Sequence, residues 1–211
     1  MIFRMCLMLV SAVLSSAVLA QDKPDPLGWE ISFKVGQLQS ALEQWDDHYL
    51  DSPVMLSAGF AYKLTRGLAL GIEVGRSRVE GKGYLPLNQT TGGDVTFTQS
   101  PVNVMLTYRL VLNENQHWVP YVGAGVGKMY YRQEVSSQPD VEGSVGSQHY
   151  KLGLQYLLDG LDKSSAVEAK NRHGLDNTYF FLEYMDISAE QNDTAFDLGG
   201  EVISIGVLME M

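Results

Sequence analysis

The chain has 211 residues, 45% of them hydrophobic and 19% charged, with 15 basic against 25 acidic side chains and a formal net charge of −10. That length bounds the answer to one domain of ordinary size. The acidic balance disfavours nucleic acid or any polyphosphate as a partner, and a single cysteine excludes a disulfide within the chain.

The first twenty residues read as a separate object. Arg4 is a short positive start, Met5 to Leu14 is a largely apolar run interrupted only by Ser11, and small residues end in Val18 and Ala20 before Gln21. These are the parts of a secretory signal peptide cleaved after residue 20, too short for a membrane-spanning helix. Cys6, the lone cysteine, lies inside it with no lipobox before it, and serves only as an apolar leader residue. The leader takes one basic and no acidic residue with it, leaving 14 basic against 25 acidic residues, −11, on the part from 21 to 211.

No later stretch approaches the 18 or more apolar residues of a helical span. What recurs is period-two alternation over about ten residues, the signature of transmembrane β-strands. Trp29, Ile31, Phe33 and Val35 alternate with Glu30, Ser32, Lys34 and Gly36. Leu56, Ala58, Phe60, Tyr62 and Leu64 alternate with Ser57, Gly59, Ala61 and Lys63, and Leu68, Leu70, Ile72 and Val74 with Ala69, Gly71, Glu73 and Gly75. A fourth run sets Val102, Val104, Leu106, Tyr108 and Leu110 against Asn103, Met105, Thr107 and Arg109. The fifth, Trp118 to Tyr131, alternates glycine with small apolar residues. Its faces are not fixed by the sequence: placing Val122, Ala124 and Val126 outward turns Lys128 outward as well. The sixth sets Tyr150, Leu152, Leu154 and Tyr156 against His149, Lys151, Gly153 and Gln155, and the seventh Phe180, Leu182 and Tyr184 against Phe181, Glu183 and Met185. The last sets Ile203, Ile205, Val207, Met209 and Met211 against Ser204, Gly206, Leu208 and Glu210.

One face is apolar and the other mostly polar, small or charged, with charges inside runs sharing one parity. That suits an all-β, eight-stranded, antiparallel up-and-down transmembrane barrel occupying 21–211, its outside in lipid and its inside crowded and polar. A soluble sandwich would carry a richly charged outer face instead. The connections 39–52, 79–95, 132–146 and 187–197 are long, polar and expected outside the cell, whereas Thr65-Arg66 and Asn113 to His117 are short and periplasmic. The third periplasmic link, 159–176, is longer, and Lys163 to Lys170 within it suits a brief helix stopped by Gly174. Trp29, Tyr62, Tyr84, Tyr108, Trp118, Tyr131, Tyr156 and Tyr184 lie near strand ends, as interfacial girdles require.

With the strands placed, Pro120-Tyr-Val-Gly-Ala-Gly-Val-Gly127 resembles a strand common in small Gram-negative outer-membrane barrels. Pro101-Val-Asn-Val-Met-Leu-Thr-Tyr-Arg-Leu110 and Ala61-Tyr-Lys-Leu-Thr65 resemble its preceding hairpins. The chain thus resembles the superfamily that includes the OmpA transmembrane domain, OmpX and OmpW. The resemblance implies outer-membrane insertion by the barrel-assembly machinery, and roles in adhesion, envelope integrity or passage of small hydrophobic molecules. The one departure is Met211, where such barrels carry a terminal aromatic residue.

Chemistry is sparse. Gly123 to Lys128 is no phosphate loop, since Met129 rather than Ser or Thr follows the lysine and the glycines alternate along a strand. His48, His117, His149 and His173 show no metal spacing, and Asp46, Asp47 and Asp51 suit a solvated loop better than a calcium cage. Asn88 and Asn192 begin glycosylation-type triplets with no meaning in a bacterial envelope. Ser147 and His149 are the only close pair for nucleophilic catalysis, without a third member. No catalytic, cofactor-binding or metal site is expected. The partners expected are outer-membrane lipid and lipopolysaccharide, with no nucleic acid and no identified partner for the loops. The leading role is a structural or interaction barrel with acidic loops; the alternatives are OmpW-like passage of small hydrophobic molecules and a lipid-modifying enzyme.

The inward charges fall at two heights counted from the periplasmic end: Glu30, Lys63, Arg109 and Glu210 near it, and Lys34, Glu73, Lys151 and Glu183 about five to seven residues in. An eight-stranded interior is only just wide enough for side chains, so these charges are expected to pair and to close the lumen. Lys151 and Glu183, on neighbouring strands, are expected to be direct partners.

Overall fold

The computed structural model describes residues 28–41, 52–84, 91–113, 116–135, 139–189 and 198–211. The leader, the acidic first loop with Asp46, Asp47, His48 and Asp51, and both Asn88 and Asn192 lie outside them. The strands are β1 Trp29–Ser40, β2 Val54–Lys63, β3 Leu68–Tyr84, β4 Thr91–Arg109, β5 Trp118–Val135, β6 Val141–Leu157, β7 Asn177–Ser188 and β8 Gly200–Glu210. Each pairs antiparallel with its sequence neighbour and β1 pairs with β8, closing an eight-stranded up-and-down barrel.

Its register carries a shear. Trp29 pairs with Tyr62, and the row continues through Leu70, Leu106, Ala124, Tyr150, Asp186 and Glu201 to return to β1 at Gln39 instead of Trp29. Ten residues of shear over eight strands tilt them by about 41° and set a barrel radius of about 8 Å. One register row therefore climbs from one boundary of the membrane to the other.

Burial is inverted relative to a water-soluble protein. Leu56 is 62% exposed, Ile72 55%, Val126 64% and Leu152 57%, whereas Glu30 is 5%, Lys34 8%, Glu73 7%, Arg109 3% and Glu183 2% exposed. With hydrocarbon as the outer solvent, apolar side chains gain nothing by turning in, and the closed ladder leaves no strand edge unpaired. At the lower end, which holds residues 28 and 211, Trp29 stacks on Phe60 at 4.9 Å and Trp118 meets Tyr156 at 4.7 Å, forming the lower girdle. Tyr131 is no girdle residue, because it turns inward and packs on the upper core.

Two of the expected long loops are mostly strand. The pairing of β3 with β4 runs to Tyr84 and Thr91, and that of β5 with β6 to Gln133 and Val141, well into 79–95 and 132–146. Alternation persists there, with Ser77 and Val79 buried between exposed Arg76, Arg78 and Glu80. Once the outward face leaves lipid and becomes charged, the apolar stripe that marks a strand disappears from the sequence.

The connections have local causes. The Thr65 hydroxyl accepts from the Gly67 and Leu68 amides at 3.3 and 3.1 Å, making a tight turn. Helix α1, Lys163–His173, occupies the long lower link. Asp162 accepts from the Ser164 amide at 3.0 Å as its cap, and Gly174 takes φ +70 to end it. Just beyond, Lys170 lies 2.9 Å from Asp176, whose hydrogen bond and charge raise the lysine pKa.

Candidate functional site

The strands bring the eight inward charges together in two groups of four. In the lower group, Arg109 of β4 lies 2.6 Å from Glu30 of β1 and 2.5 Å from Glu210 of β8, while Lys63 of β2 reaches Glu210 at 3.3 Å. Asn177 donates a further hydrogen bond to Glu210 at 2.7 Å, and the Arg109 guanidinium lies 6.0 Å from the Tyr179 ring centroid. In the upper group, Lys34 of β1 sits between Glu73 of β3 at 2.7 Å and Glu183 of β7 at 2.5 Å. Lys151 of β6 reaches both carboxylates at 3.5 Å. The Lys151–Glu183 contact thus exists, but the shorter bonds of Glu183 belong to Lys34 and to the Tyr121 hydroxyl, which donates at 2.8 Å. Each quartet holds two cations and two anions. The tilt and strand spacing put the layers about 11 Å apart.

Between the layers lies a cavity of about 50 Å³, bounded by Glu30, Lys34, Arg109, Lys151, Gln155 and Glu183 among others. Such a volume accommodates about three or four waters. Two of the polar atoms around it, Arg109 Nε and Gln155 Oε1, have no hydrogen-bond partner among the described residues. It is a small polar pocket between the two charged layers.

Above the upper quartet the interior changes character. Leu38, Met55, Val79, Phe97, Met129, Val145, Met185, Ile187, Leu198 and Val202 form one buried apolar cluster, with Met129 and Met185 at 0% exposure. The sequence does not show this cap: the upper halves of the strands read as loop, and the inward parity of the runs reads as mostly polar, small or charged. A second cluster, of Val119, Tyr121, Tyr179, Phe181 and Leu208, fills the β5, β7 and β8 side at the lower layer.

Strand β5, whose faces the sequence left open, puts Val122, Ala124, Val126 and Lys128 outward and Gly123, Gly125 and Gly127 inward. A Cβ on Gly125 would overlap the Met105 sulfur and the Val104 carbonyl, so glycine here answers a close approach of strands and not a phosphate. Tyr121 also points in, which is why its bond to Glu183 could not be read from the sequence.

Ser147 and His149 face the lumen together, 5% and 0% exposed. His149 Nε2 lies 3.0 Å from Ser147 Oγ, and His149 Nδ1 lies 3.5 Å from the Asn103 amide nitrogen. The third member is an amide, and the group is enclosed between the upper quartet and the apolar cap. Among the described residues no cluster of His, Cys, Asp or Glu is placed to hold a metal.

The family model of the outer membrane protein beta-barrel domain matches residues 6–207. No curated protein matches the sequence. Among solved structures, the outer membrane protein OprG of Pseudomonas aeruginosa superposes with a TM-score of 0.59 at 14% identity, over 89% of this chain and 97% of that one. Neisserial surface protein A gives 0.54 at 13% identity, over 90% and 100%. The N-terminal barrel domain of Pseudomonas aeruginosa OprF gives 0.51 at 12%, over 87% and 97%. At these identities the likeness speaks for the fold alone. Lipid-facing apolar strands, a closed antiparallel ladder and a family match across nearly the whole sequence make this chain a member of the outer membrane protein β-barrel domain family, resident in the outer membrane.

Proposed function

We propose that the barrel serves the outer membrane as a structural or interaction element with a closed interior, and neither as a wide pore nor as an enzyme. The observation that carries this reading is the pair of neutral quartets stacked inside a barrel whose backbone radius is only about 8 Å. Opening either one would strand buried charges at about 3–5 kcal/mol for each broken pair. What the protein offers its surroundings is then its lipid face and its loops, whose composition is acidic. Export would proceed by cleavage of residues 1–20, insertion through the barrel-assembly machinery, and residence among lipopolysaccharide. The burial of Ser147 and His149 supports a non-catalytic reading; measured acyl-chain release from lipid A would overturn it. Planar-bilayer recording tests the closed lumen: the expected trace shows no steady conductance, and large, persistent currents would refute it.

A second reading has one observation in its favour. The upper interior is apolar and rich in methionine, a surface that adapts to ligands of varied shape. Since the quartets close the way below, a small hydrophobic molecule entering the cap would have to leave sideways into lipid. Faster transfer of such a molecule into vesicles containing the protein, lost on enlarging Leu38 or Val202 to Trp, would favour this reading over the first.

A further inference from the structure

The outer boundary of the apolar belt can be located strand by strand, and it is electrically lopsided. Going upward from the belt, the first outward polar residue is Gln37 on β1, Arg76 on β3, Ser100 on β4, Lys128 on β5, Gln148 on β6, Asp186 on β7 and Glu201 on β8. With about 41° of tilt, each step to the next strand along a row climbs about 3 Å and each two residues along a strand about 5 Å. Arg76 and Lys128 then come within about 1 Å of the same height, roughly 10 Å apart across β4. The register on either side of Arg76, Val74 with Val102 and Ser77 with Gln99, sets it opposite Ser100, and Lys128 pairs with Val102, so only a hydroxyl and a small apolar side chain stand between the two cations.

Other outward cations are engaged elsewhere: Arg78 lies 3.4 Å from Glu80, and Arg132 lies 2.6 Å from Asp140 and 3.2 Å from Glu134. Arg76 and Lys128 make no ion pair among the described residues. Across the barrel, Asp186 and Glu201 are directly paired in register at the same boundary, which repels an anion there. Immediately below the two cations, Val74, Val102 and Val126 are 45%, 42% and 64% exposed, a bed for acyl chains.

We propose that Arg76 and Lys128 clamp one phosphate of a phosphorylated outer-leaflet lipid over Ser100, with its acyl chains lying on Val74, Val102 and Val126. This rests on the outer-membrane reading and adds to it a side and a pair of residues. The occupant is an amphiphile and not a soluble anion, because the clamp sits on the edge of the apolar belt; it is lipid because the cations are flush with that edge, not raised on a loop. A net acidic protein would thereby hold phosphorylated lipid on one flank only.

The test uses the full chain folded in detergent, with native mass spectrometry reading bound lipid. Diphosphoryl lipid A, its dephosphorylated form and phosphatidylcholine are the probes. Wild type is expected to retain diphosphoryl lipid A over the dephosphorylated form, and Arg76→Gln with Lys128→Gln to lower that retention by about five-fold for each charge removed. Arg132→Gln should leave it unchanged, and phosphatidylcholine should bind all variants alike. The exchange Arg76→Lys with Lys128→Arg keeps both charges and should keep binding, which separates charge from any folding loss. Equal retention by wild type and the double Gln variant, or an equal loss in Arg132→Gln, overturns the clamp. Failure of wild type to fold in detergent at all would instead overturn the membrane reading on which it rests.

Discussion

Replacing Lys34 by Met would test whether the upper quartet holds the barrel together. Lys34 Nζ lies 2.7 Å from Glu73 and 2.5 Å from Glu183, and all three side chains are at most 9% exposed. Each contact has a gross Coulomb energy of about 6 kcal/mol at an effective dielectric of about 20, against about 5 kcal/mol for the looser contacts of Lys151. Desolvation cancels much of this, but truncating one member leaves two carboxylates to one lysine. The expected destabilisation is about 3–5 kcal/mol. Adding Glu183→Gln removes one anion as well and leaves the Glu73–Lys151 pair, at 3.5 Å, neutral. The double variant should therefore be more stable than the sum of the singles implies, by at least about 2 kcal/mol. Urea unfolding from lipid vesicles, followed by tryptophan fluorescence, would report the single variant as a midpoint lowered by about 2 M at a slope of about 2 kcal/mol/M. Additivity within about 0.5 kcal/mol would refute the coupling. Reversing the charges of the Lys151–Glu183 pair, Lys151→Glu with Glu183→Lys, is a poorer test. In a quartet it would set the new lysine beside Lys34 and the new glutamate beside Glu73, so the swap would not recover the loss.

Four further outcomes are expected. Ile72→Arg, on the lipid face of β3, should cost about 2–4 kcal/mol by the same unfolding measurement, whereas Arg78→Ile above the belt should cost little. Gly125→Ala should destabilise by about 1–3 kcal/mol through overpacking against Met105, while Ala124→Val beside it, facing lipid, should be tolerated; the reverse order would overturn the face assignment of β5. Leu38→Ala, in the apolar cap, should cost about 2–5 kcal/mol, and a near-zero effect would mean the cap is loosely filled. The folded barrel should also migrate differently on a gel before and after boiling, and only when folded in detergent or bilayer; a folded, soluble monomer without either would contradict the lipid face.

The alternation of Trp29 to Gly36 or of Val102 to Leu110 was enough to place strands and faces, because lipid on one side and a narrow interior on the other leave a strand no freedom to turn over. The quartets were legible for the same reason: parity gives the face, and distance from the strand start gives the height. The partner assignment was less so. Lys34 and Glu183 lie on β1 and β7, and only the tilt that carries a row across the barrel reveals that they meet. Strand β5 failed to declare itself because glycine and alanine satisfy either face. The upper hairpins failed because water on their outer side removes the apolar stripe while backbone pairing continues, and with them went the apolar cap formed by Phe97, Met129 and Val145.

The quartets also constrain the order in which this chain can enter a membrane. Glu30 and Lys34 come from the first strand, Glu183 and Glu210 from the last two, and the cations that answer those carboxylates come from β1, β2, β4 and β6. Only the Lys151–Glu183 contact lies within one hairpin; the other quartet contacts join strands further apart, so a partly assembled sheet would carry incompletely paired charge into hydrocarbon at several kcal/mol for each group. Both quartets are complete only when β1 meets β8, since Lys34–Glu183 and Lys63–Glu210 span that seam. Seam closure and completion of the quartets are thus one event, and a barrel whose ends have not met still carries half-paired charges in its lumen.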